Sequence, residues 1–491
     1  MASLGSGCVE DELEGGAGWE EVKEEEATDR LASEVERALS IEEAVKALLQ
    51  GLGEDHEREG LRRTPHRVAE AFRGGTRGYK QKVKDIVQGA LFPEAGLNPG
   101  VGYAGGVGGL VVVRDINLFS YCESCLLPFS IKCHVGYVPS GGHVVGLSKL
   151  SRVADVFARR FQDPKRLARE ICAALHNSIN PAGVAVSLQC CHMKFNHLCD
   201  TNFTHSTISD MRNWGTVLVS SRSGVFKEEK NSLWDDFKSL LKLSGAVIKG
   251  GDTHHSHVTS WCPARSLEVP VSSGHCARNS KNGKTSSTTV VSQASMVAAV
   301  ASILHSLGED TLRKELLGTP DRYVQWLLNF KSSNWGLDLN SLDICKVNSC
   351  VVKDGNTDSK NEMQTELGIP FFSLCEHHLL PFHGVVHIGY LIKQEGIYIE
   401  QSALQQMVQF FACKLQVQER LTRQIAEAVY SSLNVGVMVV VEAHHNCMIS
   451  RGIEKVGSNT ATIAALGQFS SDSNTKALFL QTIASNATSG I

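Results

Sequence analysis

The chain has 491 residues, more than one ordinary hydrophobic core accommodates, so we expect two or three domains. Hydrophobic residues make up 42% and charged residues 20%, as in a globular protein, and a net charge of −4 gives no broad basic surface for a nucleic acid. An odd number of cysteines, 15, indicates reduced thiols in a cytoplasmic compartment, and no apolar run is long enough to span a membrane.

The chain begins with a glutamate-rich stretch, residues 1–39, which predicts an acidic disordered tail rather than an organelle transit peptide. Ser40-Ile41-Glu42-Glu43 has the spacing of a capping box and predicts a helix to about Leu52. Thr64 followed by Pro65 predicts the start of a second helix, with the threonine as its cap.

These signals recur later in the chain, which reveals an internal repeat. Thr64-Pro65 returns as Thr319-Pro320, and the stretch 119–129 resembles 372–382. A segment rich in Ser, Gly, Thr and Asn separates the two copies and predicts a linker. The predicted division is a tail, a first copy, a linker, a second copy and a short tail, at residues 1–39, 40–243, 244–293, 294–485 and 486–491.

Each copy shows the same order of predicted helices and strands. Apolar residues at helical spacing run from Leu150 to Phe161 and from Leu404 to Leu415, and each run predicts a long helix with one buried face. Valine-rich runs at Val184–Leu188 and Val437–Val441 predict buried strands. Strands grouped around helices in this order predict an α+β fold with an antiparallel sheet in each copy.

One Cys and two His lie within four residues of the second copy, and another Cys follows its valine-rich strand. Side chains two residues apart on a strand share a face, so we expect His445 and Cys447 to point the same way. Cys375, His378 and Cys447 then form a set of three zinc ligands, and a catalytic zinc leaves its fourth position to water. His377 and His445 lie beside these ligands and are suited to proton transfer near neutral pH.

Three motifs in order carry a resemblance to a known family. Cys375-Glu376-His377-His378, the stretch 416–422, and His445-Asn446-Cys447 with Arg451-Gly452 resemble GTP cyclohydrolase I, and the tandem copies resemble its two-domain plant form. The resemblance implies two tandem tunnelling-fold (T-fold) units and a ring-shaped homo-oligomer with active sites where subunits meet. It also implies zinc-dependent conversion of GTP and water to formate and 7,8-dihydroneopterin triphosphate, the first step of pterin and folate synthesis.

The resemblance also assigns substrate contacts. It places the guanine edge on Glu419 beside Gln418, because a carboxylate can accept hydrogen bonds from the ring N–H and the exocyclic amino group together. It gives Arg451 a part in substrate binding, and it assigns the triphosphate to first-copy residues at a predicted helix start, Ser148, Lys149 and Arg152. The residues alone leave an alternative open, in which Glu419 is a surface charge paired with Arg423.

The two copies differ in a complementary way. The first copy keeps Cys122 and His192 at the positions of Cys375 and His445. It lacks the other metal, histidine and guanine residues, since it has Ser124, Cys125, Lys194, Pro164 and Lys165 at the positions of His377, His378, Cys447, Gln418 and Glu419. The second copy lacks the phosphate residues, since it has Ala403 and Gln406 at the positions of Lys149 and Arg152. We therefore expect one zinc ion per chain, in the second copy, and an active site to which both copies contribute.

Two further classes of function stay open at this point. A zinc-stabilised binding module would need a closed site with four ligands, whereas the second copy offers three. A catalytically impaired paralogue could act as a zinc-containing regulatory subunit, which the losses in the first copy favour for half the chain.

Overall fold

The computed structural model describes residues 39–93, 109–193, 214–228, 232–243, 261–262, 292–332, 363–392, 399–452 and 459–489. The predicted acidic tail up to residue 38, most of the predicted linker, and Lys194 lie outside these residues.

Within the described residues, the first unit contains five α-helices and seven β-strands before its last helix. In chain order these are α1 (Ile41–Gly51), α2 (Thr64–Gly75), α3 (Val83–Val87), β1 (Leu91–Pro93), β2 (Val111–Cys122), β3 (Pro128–Val138), β4 (His143–Val145), α4 (Leu147–Ala158), β5 (Phe161–Gln162), α5 (Pro164–Ile179), β6 (Gly183–Met193), β7 (Trp214–Gly224) and α6 (Leu233–Lys242).

The second unit repeats this order over the described residues. Its elements are α7 (Gln293–Ser306), α8 (Thr319–Ser332), β8 (Met363–Cys375), β9 (Leu380–Leu391), α9 (Gln401–Ala412), β10 (Leu415–Gln416), α10 (Gln418–Leu433), β11 (Val437–His445), α11 (Asn446–Ile449), β12 (Thr460–Leu466), α12 (Gln468–Ser471) and α13 (Ser473–Ser489).

Each unit is built on a five-stranded sheet of the same topology, β5-β2-β3-β6-β7 in the first and β10-β8-β9-β11-β12 in the second. The long strands pair antiparallel, whereas the two-residue strands β5 and β10 run parallel to β2 and β8. The α+β prediction and the tandem repeat are therefore confirmed. None of the helices in the described part of the chain is long and apolar enough to cross a membrane.

The predicted helix starts are confirmed in one case and corrected in the other. Ser40 caps α1 through the predicted capping box with Glu43. Thr64 is the first residue of α2 but does not cap it, because its hydroxyl donates to the Glu376 carbonyl of the second unit at 2.6 Å. The prediction of a threonine cap was wrong since the hydroxyl makes a contact between units.

Both predicted long helices end earlier than the apolar spacing indicated. Helix α4 ends at Ala158 and α9 at Ala412, and the last apolar residues of the two runs, Phe161 and Leu415, lie in β5 and β10. Phe161 and Leu415 are nonetheless buried. The apolar spacing therefore predicted the buried residues correctly. It did not predict the helix ends, because the buried side chains continue past each helix into the next short strand.

Helices from both units pack on each other and share a hydrophobic core. Leu48 and Leu49 of α1 are buried in one cluster with Val300 and Ile303 of α7. Burial of each such side chain contributes about 1.5–3 kcal/mol relative to exposure. The two units are thus joined through their helices, while their sheets stay separate.

Candidate active site

The glutamate of the Cys-Glu motif in the second unit joins residues of both units. The Glu376 carboxylate accepts from Arg420 at 2.7 Å and from Arg58 of the first unit at 2.8 Å. Burial alone would raise the pKa of this carboxyl group, but hydrogen bonds and charge from Arg420 and Arg58 bring the pKa below its ordinary value. With Thr64 bonded to the Glu376 carbonyl, this contact holds the turn that carries His377 and His378.

The first unit contains the reciprocal contact. The Glu123 carboxylate lies 2.9 Å from Arg313 of the second unit and 3.3 Å from Arg166, and the Thr319 hydroxyl donates to the Glu123 carbonyl at 2.8 Å. Sequence reasoning gave Glu123 and Glu376 no role. The sequence contained a signal for such a role. Both copies have a glutamate at this position, although the two residues that follow it differ between the copies.

The three predicted zinc ligands of the second unit come together. Cys375 ends β8, His378 lies in the following turn and Cys447 lies in α11, and their ligand atoms are all within 4.8 Å of one another. The expectation that His445 and Cys447 share a strand face was wrong, because β11 ends at His445 and the chain turns into α11. That turn carries the Cys447 thiol to the ligand cluster.

The chemistry of this cluster fits a metal ion. Both ring nitrogens of His378 are buried and make no hydrogen bond to any described residue. The Cys447 thiol donates a hydrogen bond to Cys375, which lowers the pKa of the Cys375 thiol well below its ordinary range and raises that of Cys447. Two neighbouring thiols and an imidazole without a hydrogen bond to any described residue are the donor set that a site for a divalent cation offers.

A buried glutamine fixes the orientation of His445. The Gln418 amide nitrogen donates to the backbone carbonyls of Val441 and Thr460, at 3.0 and 2.8 Å. Its amide oxygen lies 2.8 Å from His445 Nε2, which must therefore carry the proton in this bond. The His445 ring also stacks on Phe382, with a centroid distance of 4.6 Å and an angle of 4°. Nδ1 of His445 is thereby left as the basic nitrogen.

The other predicted site residues of the second unit lie on or just after the elements that form this centre. His377 is half-buried next to His378, whereas Glu419, at the start of α10, and Arg451, just after α11, are exposed. Arg423 pairs with Glu427 at 3.6 Å, and Glu419 makes no ion pair with a described residue. The alternative in which Arg423 pairs with Glu419 therefore has no support in the geometry.

The first unit forms a wall beside the second-unit centre, which sequence reasoning missed. The Tyr121 hydroxyl is within hydrogen-bonding reach of Ser450, three residues after Cys447, and burial raises the pKa of Tyr121. The Arg159 guanidinium lies 3.7 Å from the Phe119 ring centroid, and both side chains lie next to Gly452 of the second unit. Nothing in the sequence signals this contact, because it depends on how the two units pack.

The predicted phosphate residues lie elsewhere on the first unit. Lys149 donates to the Ile86 carbonyl at 2.8 Å, while Ser148 and Arg152 are exposed, and none of the three bonds to the ligand cluster within the described residues. Lys149 and Arg159 are ten positions apart, and a helix rises 1.5 Å per residue, so they are separated by about 15 Å along the axis of α4. The end of α4 that reaches the second-unit centre is thus opposite the end that carries these residues.

Comparison with known proteins agrees with the family resemblance that the site motifs indicated. The GTP cyclohydrolase I family profile matches twice, over residues 41–231 and 296–484. GTP cyclohydrolase 1 of Arabidopsis thaliana is 51% identical over 486 residues, which are 98% of this chain and 97% of that protein. The Solanum lycopersicum protein of that name is 53% identical over 452 residues, 92% of this chain and 93% of that protein.

A shorter relative shows why the family profile matches twice. GTP cyclohydrolase 1 of Gloeobacter violaceus is 43% identical over 190 residues, which are 78% of that protein but 39% of this chain. One unit of this chain therefore corresponds to most of that protein. With two T-fold-like units, two profile matches and relatives similar over nearly the full length, the chain belongs to the GTP cyclohydrolase I family, in its tandem form.

Proposed function

We propose that the chain converts GTP and water to formate and 7,8-dihydroneopterin triphosphate, the first step of pterin and folate synthesis, and that this reaction depends on zinc in the second unit. The observation that carries the proposal is the Cys375, His378 and Cys447 cluster beside a histidine that Gln418 holds in one tautomer. The described residues offer three ligands there, the number of protein ligands with which a catalytic zinc site is built.

The residues around this centre divide the chemistry between them. Cys375, His378 and Cys447 would hold the zinc ion, and a bound zinc would supply the Lewis acidity needed to activate water for attack at C8 of guanine. His445 accepts and returns protons at Nδ1 while Gln418 holds Nε2–H, and His377 provides a second proton-transfer group. Glu419 accepts from the guanine edge, and Arg451 binds substrate. The Gln418 side chain makes three hydrogen bonds, one of them to His445. We therefore propose that Gln418 positions His445, in addition to its predicted role in substrate binding.

The triphosphate needs cations that the second unit does not provide at the corresponding helix. We propose that Ser148, Lys149 and Arg152 of the first unit bind it, so that the active site is composite. A neighbouring chain is the better source of these residues, because within one chain they lie at the far end of α4 from the second-unit centre. Arg152 is exposed and makes no ion pair with a described residue, and Ser148 lies where helix N–H groups favour an anion.

The outer strands of the two sheets fit a ring-shaped homo-oligomer, which we propose as the working assembly. Among the described strands, β7 and β12 each pair with a single neighbour, and both present large apolar side chains, Leu218 at 39% and Ile463 at 55% exposure. Exposed edge strands of this kind are templates for pairing with another chain. A cytoplasmic location stays a prediction from the cysteine content.

A complementation experiment tests the composite site. Cys447→Ser should remove the metal, and Lys149→Ala with Arg152→Ala should weaken GTP binding, since each charge-assisted contact contributes about 1.5–3 kcal/mol. Chains carrying the two defects are then assembled together, and product is followed by neopterin fluorescence after oxidation and dephosphorylation. At some interfaces of the mixed assembly, the intact first unit of a Cys447→Ser chain meets the intact second unit of a chain with the double substitution. GTP turnover should therefore reappear in the mixture.

The controls separate the possible outcomes. Lys165→Ala with Arg169→Ala removes two exposed cations one turn apart on α5 and should leave KM for GTP unchanged. An unchanged KM in the Lys149 and Arg152 double variant would contradict the composite site. A raised KM without complementation would place the composite site within one chain. Absence of product from the wild-type protein with GTP would favour the regulatory paralogue instead.

A further inference from the structure

The first unit brings four metal-ligating side chains together at a place where the sequence predicted the loss of a metal. The ligand atoms of Cys122, Cys125, His192 and Cys262 all lie within 4.8 Å of one another. A tetrahedral zinc ion with Zn–S bonds of about 2.3 Å separates its sulfur ligands by about 3.8 Å, so the spacing is suitable for one ion. All four residues are at most 4% exposed.

The first two cysteines have the backbone geometry of a metal-binding turn. Cys122 ends β2, and its N–H and carbonyl bond to Leu127 and Leu126 at 2.9 and 2.8 Å, which closes a tight turn around Cys125. Leu126 adopts a positive φ of 59° in this turn. The Cys-x-x-Cys spacing with both thiols on one side of such a turn is typical of structural zinc sites.

The imidazole of His192 is oriented for metal binding. Its Nδ1 lies 2.7 Å from the Met193 carbonyl, which can only accept, so Nδ1 carries the proton. The lone pair is therefore on Nε2, and Nε2 lies 3.3 Å from the Cys125 sulfur. A backbone carbonyl that fixes the tautomer of a ligand histidine is a regular feature of zinc sites.

The fourth ligand comes from the segment that the sequence predicts as a linker. Cys262 is fully buried, and its neighbour Trp261 packs edge-on against both Phe129 and His192 with centroid distances of 4.9 Å. These rings cover the cluster, so four protein ligands leave no position for water or substrate. A closed Cys3His set of this kind is structural rather than catalytic.

We propose that Cys122, Cys125, His192 and Cys262 bind a structural zinc ion that fastens the connecting segment to the first unit. Zinc displaces three thiol protons to solvent and leaves His192 neutral, so the site carries a net charge of −1. This site differs from the second-unit centre, since His192 occupies the position of His445, which is not part of the second-unit ligand group, and Cys262 lies in the chain segment that connects the two units. The expectation of one zinc ion per chain is thereby revised to two.

The full-length protein tests this directly, by zinc analysis after removal of loosely bound metal. Wild-type protein should hold about two zinc ions per chain, and Cys447→Ser should keep about one. Cys262→Ser should also keep about one zinc ion per chain, but this ion is the one in the second unit. Cys413→Ser, which removes a half-buried cysteine outside both clusters, should keep two. The double variant Cys262→Ser with Cys447→Ser should keep none.

Cobalt substitution gives a second readout that does not depend on turnover. In Cys447→Ser the remaining cobalt should be tetrahedral with strong thiolate-to-metal charge transfer, as expected of three thiolates. Zinc content of one per chain in the wild type and none in Cys447→Ser would overturn the proposal. A disulfide among Cys122, Cys125 and Cys262 in protein purified without oxidant would overturn it as well. GTP turnover in Cys262→Ser, measured separately, distinguishes this site from the proposed catalytic centre.

Discussion

The two units share a scaffold but use it differently. Glu123 and Glu376 bind arginines of both units in the same way, and the backbone N–H groups of Asp115 and Gly368 donate to equivalent histidines, His134 and His387, both at 3.2 Å. Positions that join the units or shape the sheet are therefore kept. The differences are concentrated at the ends of the strands, where the ligand clusters lie.

One position on a neighbouring helix accounts for much of that difference. Gln418 begins α10 and holds His445 by Nε2, whereas Pro164 begins α5 and has no side-chain acceptor for His192. His192 instead bonds through Nδ1 to its own backbone neighbour and directs Nε2 to Cys125. We infer that the same strand position serves a proton-transfer histidine in one unit and a zinc ligand in the other, according to the helix residue beside it.

We expect the largest effect when ligands of the two metal clusters are substituted and turnover is compared. Cys447→Ser should abolish turnover, because it removes a ligand from the only described cluster that leaves a position open. Cys122→Ser should remove first-unit zinc while the second unit keeps its ion and GTP turnover continues at temperatures where the protein stays folded. Metal analysis and neopterin production are measured on both variants. Equal loss of turnover in the two would show that both clusters serve catalysis.

The next effect separates the histidines. His445→Ala and His377→Ala should each lower kcat by about 10²–10⁴-fold, the usual contribution of a general acid or base, with second-unit zinc retained. His192→Ala is the counterpart in the first unit and should weaken zinc binding there, since this residue supplies a ligand atom. If His445→Ala or His377→Ala lost zinc from the second unit, that histidine would be a ligand and its assignment to proton transfer would be wrong.

The sequence predicted the repeated fold and those parts of the candidate site that depend on short motifs. Two α+β units, the Cys375, His378 and Cys447 set, and the nearness of His445 followed from motif spacing and apolar periodicity. The place where β11 ends did not, because a valine-rich run reports burial and not the turn after it. The contacts of Glu376 with Arg58, of Tyr121 with Ser450, and of Cys262 with His192 join residues far apart in the chain, and only the packed structure brings them together.

The assignment of Gln418 gives a smaller effect. If Gln418 mainly orients His445, Gln418→Ala should lower kcat by about 10–100-fold, the range for groups that orient a functional histidine, with KM for GTP nearly unchanged. If Gln418 mainly binds substrate, KM should rise instead. Gln424→Ala is a control on the same helix, since Gln424 bonds to Gln416 and not to the site. Steady-state kinetics with zinc analysis decide between the two outcomes.

The smallest effect concerns the reciprocal glutamate contacts and stability. Glu376→Gln should lower the free energy of unfolding by about 1–3 kcal/mol near neutral pH, because the partly exposed Arg58 and Arg420 lose a charged partner. Glu123→Gln changes the equivalent contact in the first unit and is the matched variant. Denaturant unfolding of both variants and the wild type at several pH values measures the differences.

The pH dependence of these two variants should have opposite signs. The pKa of Glu376 lies below its ordinary value of 4.5 in the folded protein, so its carboxylate stabilises the fold above about pH 4.5, and this contribution is lost as the pH falls through the folded pKa. Burial raises the pKa of Glu123 above 4.5 despite Arg166 and Arg313, so its contribution is greatest below about pH 4.5 and decreases as the pH rises through the folded pKa. The stability difference between wild type and Glu376→Gln should therefore shrink on acidification, while the difference for Glu123→Gln grows. Parallel curves would show that the two carboxylates have equivalent environments, and the comparison between the units would then rest on their ligand clusters alone.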